Sequence, residues 1–254
     1  MLVDSHCHLT DDAFASDRDQ VVARAHAAGV NMVVVVADSV TSSRAARALC
    51  AGRSDLVATA GVHPHHASEF DAAASAEVES LLGRPETVAV GETGLDYHYD
   101  RSPREAQRAV FAWHLAAAAR TGKPAIIHAR EADADVARAI AEAPPGLTGV
   151  LHSFSSGREV LEAGLARGMC VSFSGMITFH SWTLQWAVEA VPDELLLIET
   201  DAPYLAPVPL RGRRNEPAFV THTAARLAAL RGTSPEALAA LTAANANRLF
   251  GLPS

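Results

Sequence analysis

Leu2-Val3-Asp4-Ser5-His6-Cys7-His8 opens the chain with a short apolar run that passes directly into a cluster of hydrogen-bonding and metal-capable side chains. Seven more short apolar or β-branched runs follow: Met32 to Val36, Leu56 to Ala60, Thr87 to Val90, Ala125 to Ile127, Gly149 to Leu151, Cys170 to Phe173, and Leu195 to Ile198. Helical stretches separate nearly all of them. Ser102-Pro103-Arg104-Glu105 carries a capping serine, a proline at the first helical position and a glutamate further on, and Gly122 ends the helix they open. Gly29, Gly52, Gly83 and Gly168 each stand where a helix should stop before the next strand, and Ser234-Pro235-Glu236 opens the last helix. Strands alternating with helices imply a parallel sheet. The chain has 254 residues, and a closed (β/α)8 TIM barrel takes about 250. We therefore expect one α/β barrel domain over residues 1–254, with a doubly wound open sheet as the alternative.

The polar residues sit where such a barrel places chemistry. The third run leads into Gly61-Val62-His63-Pro64-His65-His66, the fourth into Gly91-Glu92, the fifth into His128, the sixth into His152, and the eighth into Glu199-Thr200-Asp201. Of 12 histidines, His6, His8, His63, His65, His128 and His152 fall just after a strand. Even scattering would put about two there, and barrel enzymes gather their active-site groups at that face. Residues two apart on a strand point the same way, so His6 pairs with His8 and Glu199 with Asp201. A lone buried histidine is more often a hydrogen-bonded core residue than a ligand. A set of imidazoles and carboxylates converging on one mouth is costly to bury without a cation. The ligand count suggests two ions: His6, His8 and Asp201 around one, His128 and His152 around the other, and Glu92 bridging. Mixed nitrogen and oxygen donors suit Zn, Mn, Fe, Co or Ni and leave Mg open.

Composition limits the partners. The formal net charge is −8, so a nucleic acid would have to be held by a local feature rather than by bulk charge. The densest basic feature is Arg211-Gly212-Arg213-Arg214-Asn215, which fits either a backbone grip or a structural strap. Three scattered cysteines fit a reducing, cytoplasmic setting, and no apolar run reaches the ~18 residues of a membrane span. A monomer with no obligate protein partner is the expectation.

The stretches Asp4 to Leu9, Gly61 to His65, Gly91 to Tyr97, Ile126 to Arg130, Leu151 to Ser155, Phe173 to Gly175, Glu199 to Leu205, Arg213 to Pro217 and Asn247 to Phe250, taken in order, resemble the TatD-type metal-dependent deoxyribonucleases. The likeness implies a distorted (β/α)8 barrel holding two divalent cations on His6, His8, Glu92, His128, His152 and Asp201. Ser153 stands where cysteine is common in that family, and Ala129 where serine is common; neither is an implied ligand. The implied activity is hydrolysis of phosphodiester bonds in DNA, with single-stranded DNA as the expected substrate. Asp201 is the candidate proton acceptor, with a ligand-only role as its alternative. His63, His65 and Arg130 are the candidate substrate contacts. His65 has loop capping as its alternative, and Arg130 has pairing with Glu131, Asp133 or another acid. Glu199 is expected to hold a ligand or Tyr204. Tyr97, Tyr99, Phe154, Phe179, Trp182 and Tyr204 lie near the expected mouth as base-stacking or packing residues. Rival readings are a barrel hydrolase of amides, lactones or aminoacyl esters, and a non-catalytic metal-binding protein. Related binuclear barrels often bridge their metals with a modified lysine on the fourth strand. Here Glu92 takes that place, and Lys123 precedes the fifth strand.

Overall fold

The computed structural model describes residues 1–252. Strands β1 (Leu2–Cys7), β2 (Val30–Val35), β3 (Leu56–Ala60), β4 (Thr87–Asp96), β5 (Ala125–Arg130), β6 (Gly149–Leu151), β7 (Cys170–Phe173) and β8 (Leu196–Ile198) pair in parallel, each with its successor. That order is a barrel's, and the open-sheet alternative falls away. Helices α1 (Arg18–Ala27), α2 (Val40–Cys50), α3 (Ala72–Leu82), α4 (Arg104–Thr121), α5 (Asp133–Glu142), α6 (Arg158–Ala166), α7 (Gln185–Ala190) and α8 (Val220–Arg231) follow the strands in turn, and α9 (Pro235–Phe250) ends the fold.

The barrel is nearly closed. Between β8 and β1 a seam of mixed bonds replaces the ladder. Ser5 Oγ donates to Ile198 O (2.9 Å), and Thr200 donates to the Asp4 carboxylate through N (2.9 Å) and Oγ1 (2.5 Å). Beyond the strand end, Asp201 N donates to His6 O (2.9 Å) and His8 N to Ala202 O (2.8 Å). This seam lies beside the candidate ligands, so barrel closure and ligand placement are one event.

Two apolar clusters fill the structure. Inside the barrel, Val3, Val34, Ala89, Ile126, Val150 and Leu197 meet Ala243, Ala246 and Phe250 of α9. Asn245 Nδ2 donates to Leu196 O (2.9 Å), fixing α9 at the starts of the strands and sealing the end opposite the histidines. The second, larger cluster packs the outward strand residues against the helix ring. Ser102 does not cap α4 as expected: Pro103 holds that position, and Ser102 Oγ donates to His65 O (2.9 Å) instead. Gly122 ends α4 with φ 67°, and Ser234 Oγ caps α9 by accepting from Ala237 N. No described helix is long and apolar enough to cross a membrane.

His114, midway along α4, ties this scaffold to the site. Its Nδ1–H donates to Val110 O (2.8 Å) and its Nε2 accepts from Val62 N (3.1 Å), the residue before His63. Burial pushes its pKa down to about 4. The unfolded chain binds this proton below about 6.5, whereas the native state refuses it until about 4, so stability is lost as pH falls through that window. In urea unfolding at pH 7 and pH 5, His114→Gln should lose about 2 kcal/mol less than wild type over that interval. Parallel losses in the two proteins would exclude His114 as the group responsible.

Candidate metal centre

A strictly alternating strand could not present these ligands, and the register shows how the chain does so. Val3 points into the barrel interior and Cys7 into the outer cluster, although both are odd-numbered positions. The inversion sits between the Asp4–Val33 and Cys7–Val35 pairs, where three steps of β1 face two of β2. A bulge of this kind re-aims side chains, and here it turns His6 and His8 toward the mouth. The same occurs on β4: Val90 pairs with Ala125 and Thr93 with Ile127, so the inserted residue lies at Gly91-Glu92. Ala89 faces inward and Leu95 outward. The expected end of this strand at Val90 is therefore wrong, because the glycine-bracketed segment is a bulge inside a longer strand. The peptide Gly91–Glu92 is cis, Glu92 N donates to Ala37 O (2.7 Å), and Gly91 O accepts from Thr59 Oγ1 (2.5 Å). A Cβ on Gly61 would stand 2.5 Å from Gly91 Cα, so the close approach of β3 and β4 here requires glycine. β5, β6 and β8 keep their alternation: Ile126, Val150 and Leu197 point inward, and two residues on His128, His152 and Glu199 do likewise.

The six expected ligands converge. Glu92 Oε2 lies 3.4 Å from His6 Nε2 and 3.5 Å from His8 Nε2. Glu92 Oε1 lies 2.8 Å from His152 Nε2 and 3.1 Å from His128 Nδ1. Asp201, in the left-handed region at φ 57°, sets Oδ1 3.7 Å from His6 Nε2 and 3.5 Å from His8 Nε2. One carboxylate thus divides its oxygens between two imidazole pairs, the arrangement a bridging ligand requires.

The outer partners of the rings make a cation the natural occupant. His8 Nδ1 donates to Val36 O (3.3 Å) and His152 Nδ1 to Glu199 Oε1 (3.1 Å). Each bond puts the ring proton outside and leaves the Nε2 lone pair facing the carboxylates. His128 Nε2 likewise faces Asp96 Oδ2 at 3.5 Å, with Nδ1 turned inward. Lone pairs against carboxylate oxygens repel unless a proton or cation stands between them. Groups of donors close enough for one ion are His6 with His8 and Glu92, His6 with His152 and Asp201, and His63 with Glu92 and His128. Burial by itself would raise Glu92, but the surrounding imidazoles, His152 foremost, outweigh it and hold the carboxyl ionised.

His63 is distinguished from the other rings by its tautomer. Its Nδ1 accepts the backbone N–H of His65 (3.2 Å), capping the short turn Pro64–Glu69. A neutral His63 therefore carries its proton on Nε2, which lies 3.6 Å from Glu92 Oε1. Burial, reinforced by His128 and His65 against the pull of Glu92, holds the ring well below the usual imidazole range, so it stays neutral. A protonated Nε2 is a donor and cannot ligate, which argues against counting His63 with Glu92 and His128 as a metal group. His65 Nε2 donates to Asp96 Oδ2 (2.9 Å) and His66 pairs with Glu69. Arg130 is exposed with its guanidinium 4.7 Å from the Tyr99 ring centre. It does not take the expected alternative partners: Glu131 pairs with His98 (2.6 Å) and Asp133 accepts from Gly157 N (2.7 Å). Glu199 holds His152, while Tyr204 Oη reaches Asp11.

The basic loop divides by residue. Arg214 grips Asp17 with two bonds of 2.7 and 2.8 Å, and buried Asn215 donates to Thr200 O (2.9 Å) and Tyr204 O (2.6 Å), clamping the segment that carries Asp201. Arg211 lies over Phe179, and Arg213 is exposed. Of the expected aromatics, Phe154 is buried, Tyr97 bonds Asp135 and Trp182 is half-buried; Tyr99 and Tyr204 are open.

The chain matches the family model described as TatD related DNase over residues 3–251. It is 42% identical to the "Uncharacterized metal-dependent hydrolase TatD" of Mycobacterium tuberculosis, across 99% of this chain and 98% of that protein. It is 39% identical to the "3'-5' ssDNA/RNA exonuclease TatD" of Erwinia billingiae, with 100% of each covered. The crystal structure of YJJV, a TatD homologue from Escherichia coli, superposes with a TM-score of 0.90 at 27% identity, covering 99% of this chain and 98% of that one.

Asp96 is the site residue that sequence reasoning missed. Its Oδ2 serves His65 and faces His128, while Oδ1 accepts from His98 N (3.0 Å) and Tyr99 N (2.9 Å). Gln107 bonds its backbone at both N and O, so the carboxylate is fixed before any ligand arrives. Replacing such an outer partner typically costs 10–100-fold in metal affinity. Calorimetric titration of Asp96→Asn with Mn²⁺ should show a loss of about 10–100-fold for one of the binding steps. Wild-type affinity at every step would show that His128 needs no orienting partner.

Proposed function

The chain belongs to the TatD-related DNase family, and from that footing we propose that it is a two-cation phosphodiesterase acting on single-stranded DNA. The observation that carries this reading is the division of Glu92 between the two imidazole pairs, His6 with His8 and His128 with His152. His6, His8 and Asp201 would hold one divalent ion and His128 and His152 the other, with Glu92 common to both. Zn, Mn, Fe, Co, Ni or Mg each meets some of these donors' preferences. When bound, such ions supply Lewis acidity, lowering the pKa of a water towards ~7 and stabilising charge on phosphoryl oxygens. A single barrel domain over residues 1–254 supplies every group, and the free cysteines Cys7, Cys50 and Cys170 suit a reducing cytoplasm.

The protein's own groups do the rest. Asp201 accepts the proton of the attacking water at a carboxylate oxygen; its side chain, 14% exposed against 3% for Glu92, is the more open of the two acids. His63 donates from Nε2–H to a non-bridging phosphate oxygen, with the tautomer set by the His65 N–H. His65, held by Asp96, orients the phosphate beside it, and Arg130 reaches a neighbouring phosphate from the rim. The support for nucleic acid as substrate is the name carried by relatives such as the Erwinia billingiae enzyme.

An end-labelled single-stranded oligodeoxynucleotide followed over time, beside an aminoacyl ester, tests the reading. Chelation should abolish cleavage, and restoring a divalent cation should return it. Asp201→Asn should cut kcat by about 100-fold or more, and His63→Gln should lower it by about 10-fold. Cleavage that survives chelation, or an ester turned over in preference to the oligonucleotide, would overturn the assignment.

A further inference from the structure

Among the described residues, Tyr99 and Tyr204 are the only aromatic side chains left exposed, 51% and 54% respectively. Neither stands at random. The Tyr99 ring packs edge-on against His65, with centroids 5.6 Å apart, and the Tyr204 ring packs edge-on against His8 at 6.0 Å. Their backbones are tied to the centre's acids: Tyr99 N donates to Asp96 Oδ1 (2.9 Å) and Tyr204 N to Asp201 O (2.9 Å). Tyr99 follows β4 and Tyr204 follows β8, strands that lie opposite one another in a ring of eight. Two rigid rings therefore flank the metal centre across its diameter, and no apolar partner covers them.

We propose that Tyr99 and Tyr204 are base-stacking platforms, each receiving one nucleobase flanking the scissile phosphate. The inference rests on the phosphodiesterase reading and adds how the substrate is chosen. A phosphodiester in a nucleic acid has a nucleoside on either side, and the site offers one ring on either side. Stacking needs a free base face, which a paired and stacked duplex does not present, so the rings select unpaired strands without reading sequence. The contact is also nearly independent of charge, which matters in a chain of net charge −8. The guanidinium groups of Arg101 and Arg130, 5.5 and 4.7 Å from the Tyr99 ring centre, add positive charge at one end of the track. The shared chemistry is an unpaired nucleobase, from DNA or RNA.

The test compares two oligonucleotides cleaved by the metal-loaded enzyme: one with normal bases and one with abasic sites on both sides of the cleaved bond. For wild type, Tyr99→Leu, Tyr204→Leu and the matching Phe variants, the readout is the ratio of kcat/KM on the two substrates. Each Leu variant should lower that ratio by about 10-fold, mostly through KM on the base-bearing strand, and each Phe variant should restore it. Run on deoxyribo- and ribo-oligomers, the assay shows which sugar the track takes, and a collapsed ratio in either supports the inference. An unchanged ratio in both Leu variants overturns the platforms while leaving the phosphodiesterase intact. Failure of wild type to cleave any of the strands overturns that activity and the platforms with it.

Discussion

A carboxylate held on the axis of an apolar barrel is the constraint around which this protein is organised. Glu92 is 3% exposed at the side chain, and an isolated anion there would cost several kcal/mol. The chain resolves this by surrounding it with imidazoles and then fixing their protons on the far side. Val36 O accepts from His8 and Glu199 from His152 outside the cluster, and Asp96 faces His128 there, so each ring turns its other nitrogen toward Glu92. Those outer partners build a site in which the stable occupant is a cation. His63 is the exception, because a backbone N–H occupies its Nδ1 and leaves a donor pointing inward. Rings of one residue type thus acquire two different roles through the groups that stand behind them.

Placing Glu92 and the His6–His8 pair there required breaking the period of the strands. Both β1 and β4 carry an extra residue at the level of the site, and in each the interior apolar stripe below it is out of phase with the polar residues above. Regular strands would have sent all three of these ligands into the helix ring. The local geometry has its own costs. Gly61 and Gly91 are pressed together, and Asp201 adopts a left-handed backbone worth roughly 1–2 kcal/mol against an L-residue. Bonds that also close the barrel offset this: Asp201 N to His6 O, His8 N to Ala202 O, and Asn215 to Thr200 O. Of the basic loop read from sequence as a grip or a strap, Asn215 belongs to this clamp and Arg214 ties the loop to Asp17, while Arg211 and Arg213 take no part in it.

The barrel and its six candidate ligands were legible because strand–helix alternation and post-strand placement are properties of residue order. His128 and His152 could be placed by counting two from an inward apolar residue, since their strands are regular. His6 and Glu92 could be listed but not aimed, because a bulge depends on register with a neighbouring strand: Gly91 and Gly94 mark the one on β4, and no glycine marks the one on β1. Asp96 was hidden for the same reason: it follows the bulge on β4, where the apolar period no longer tells which way a side chain turns. Ser102 shows the converse error. Its sequence context is that of a helix cap, yet His65 O is near enough to claim the hydroxyl, and tertiary contact overrode local preference. Exposure of aromatics was equally unreadable, since Phe154 and Tyr204 occupy similar post-strand positions and only packing against Phe173 and Trp186 separates them.

The two ends of the barrel divide the work, and the division bears on how an acidic protein can take a polyanion. α9 seals the floor with apolar contacts, so the interior there is dry and rigid and the ligands above it are held against a packed base. At the mouth, on the proposed reading, Glu92 and Asp201 are both acids that would repel a phosphate chain and the groups that would hold cations. Metal loading would then cancel repulsion at the place where the substrate must approach. A basic groove would attract any nucleic acid along its length. On the proposed reading attraction would instead centre on the scissile phosphate, with Arg101 and Arg130 adding to it at one side and the rim's rings meeting what is attached.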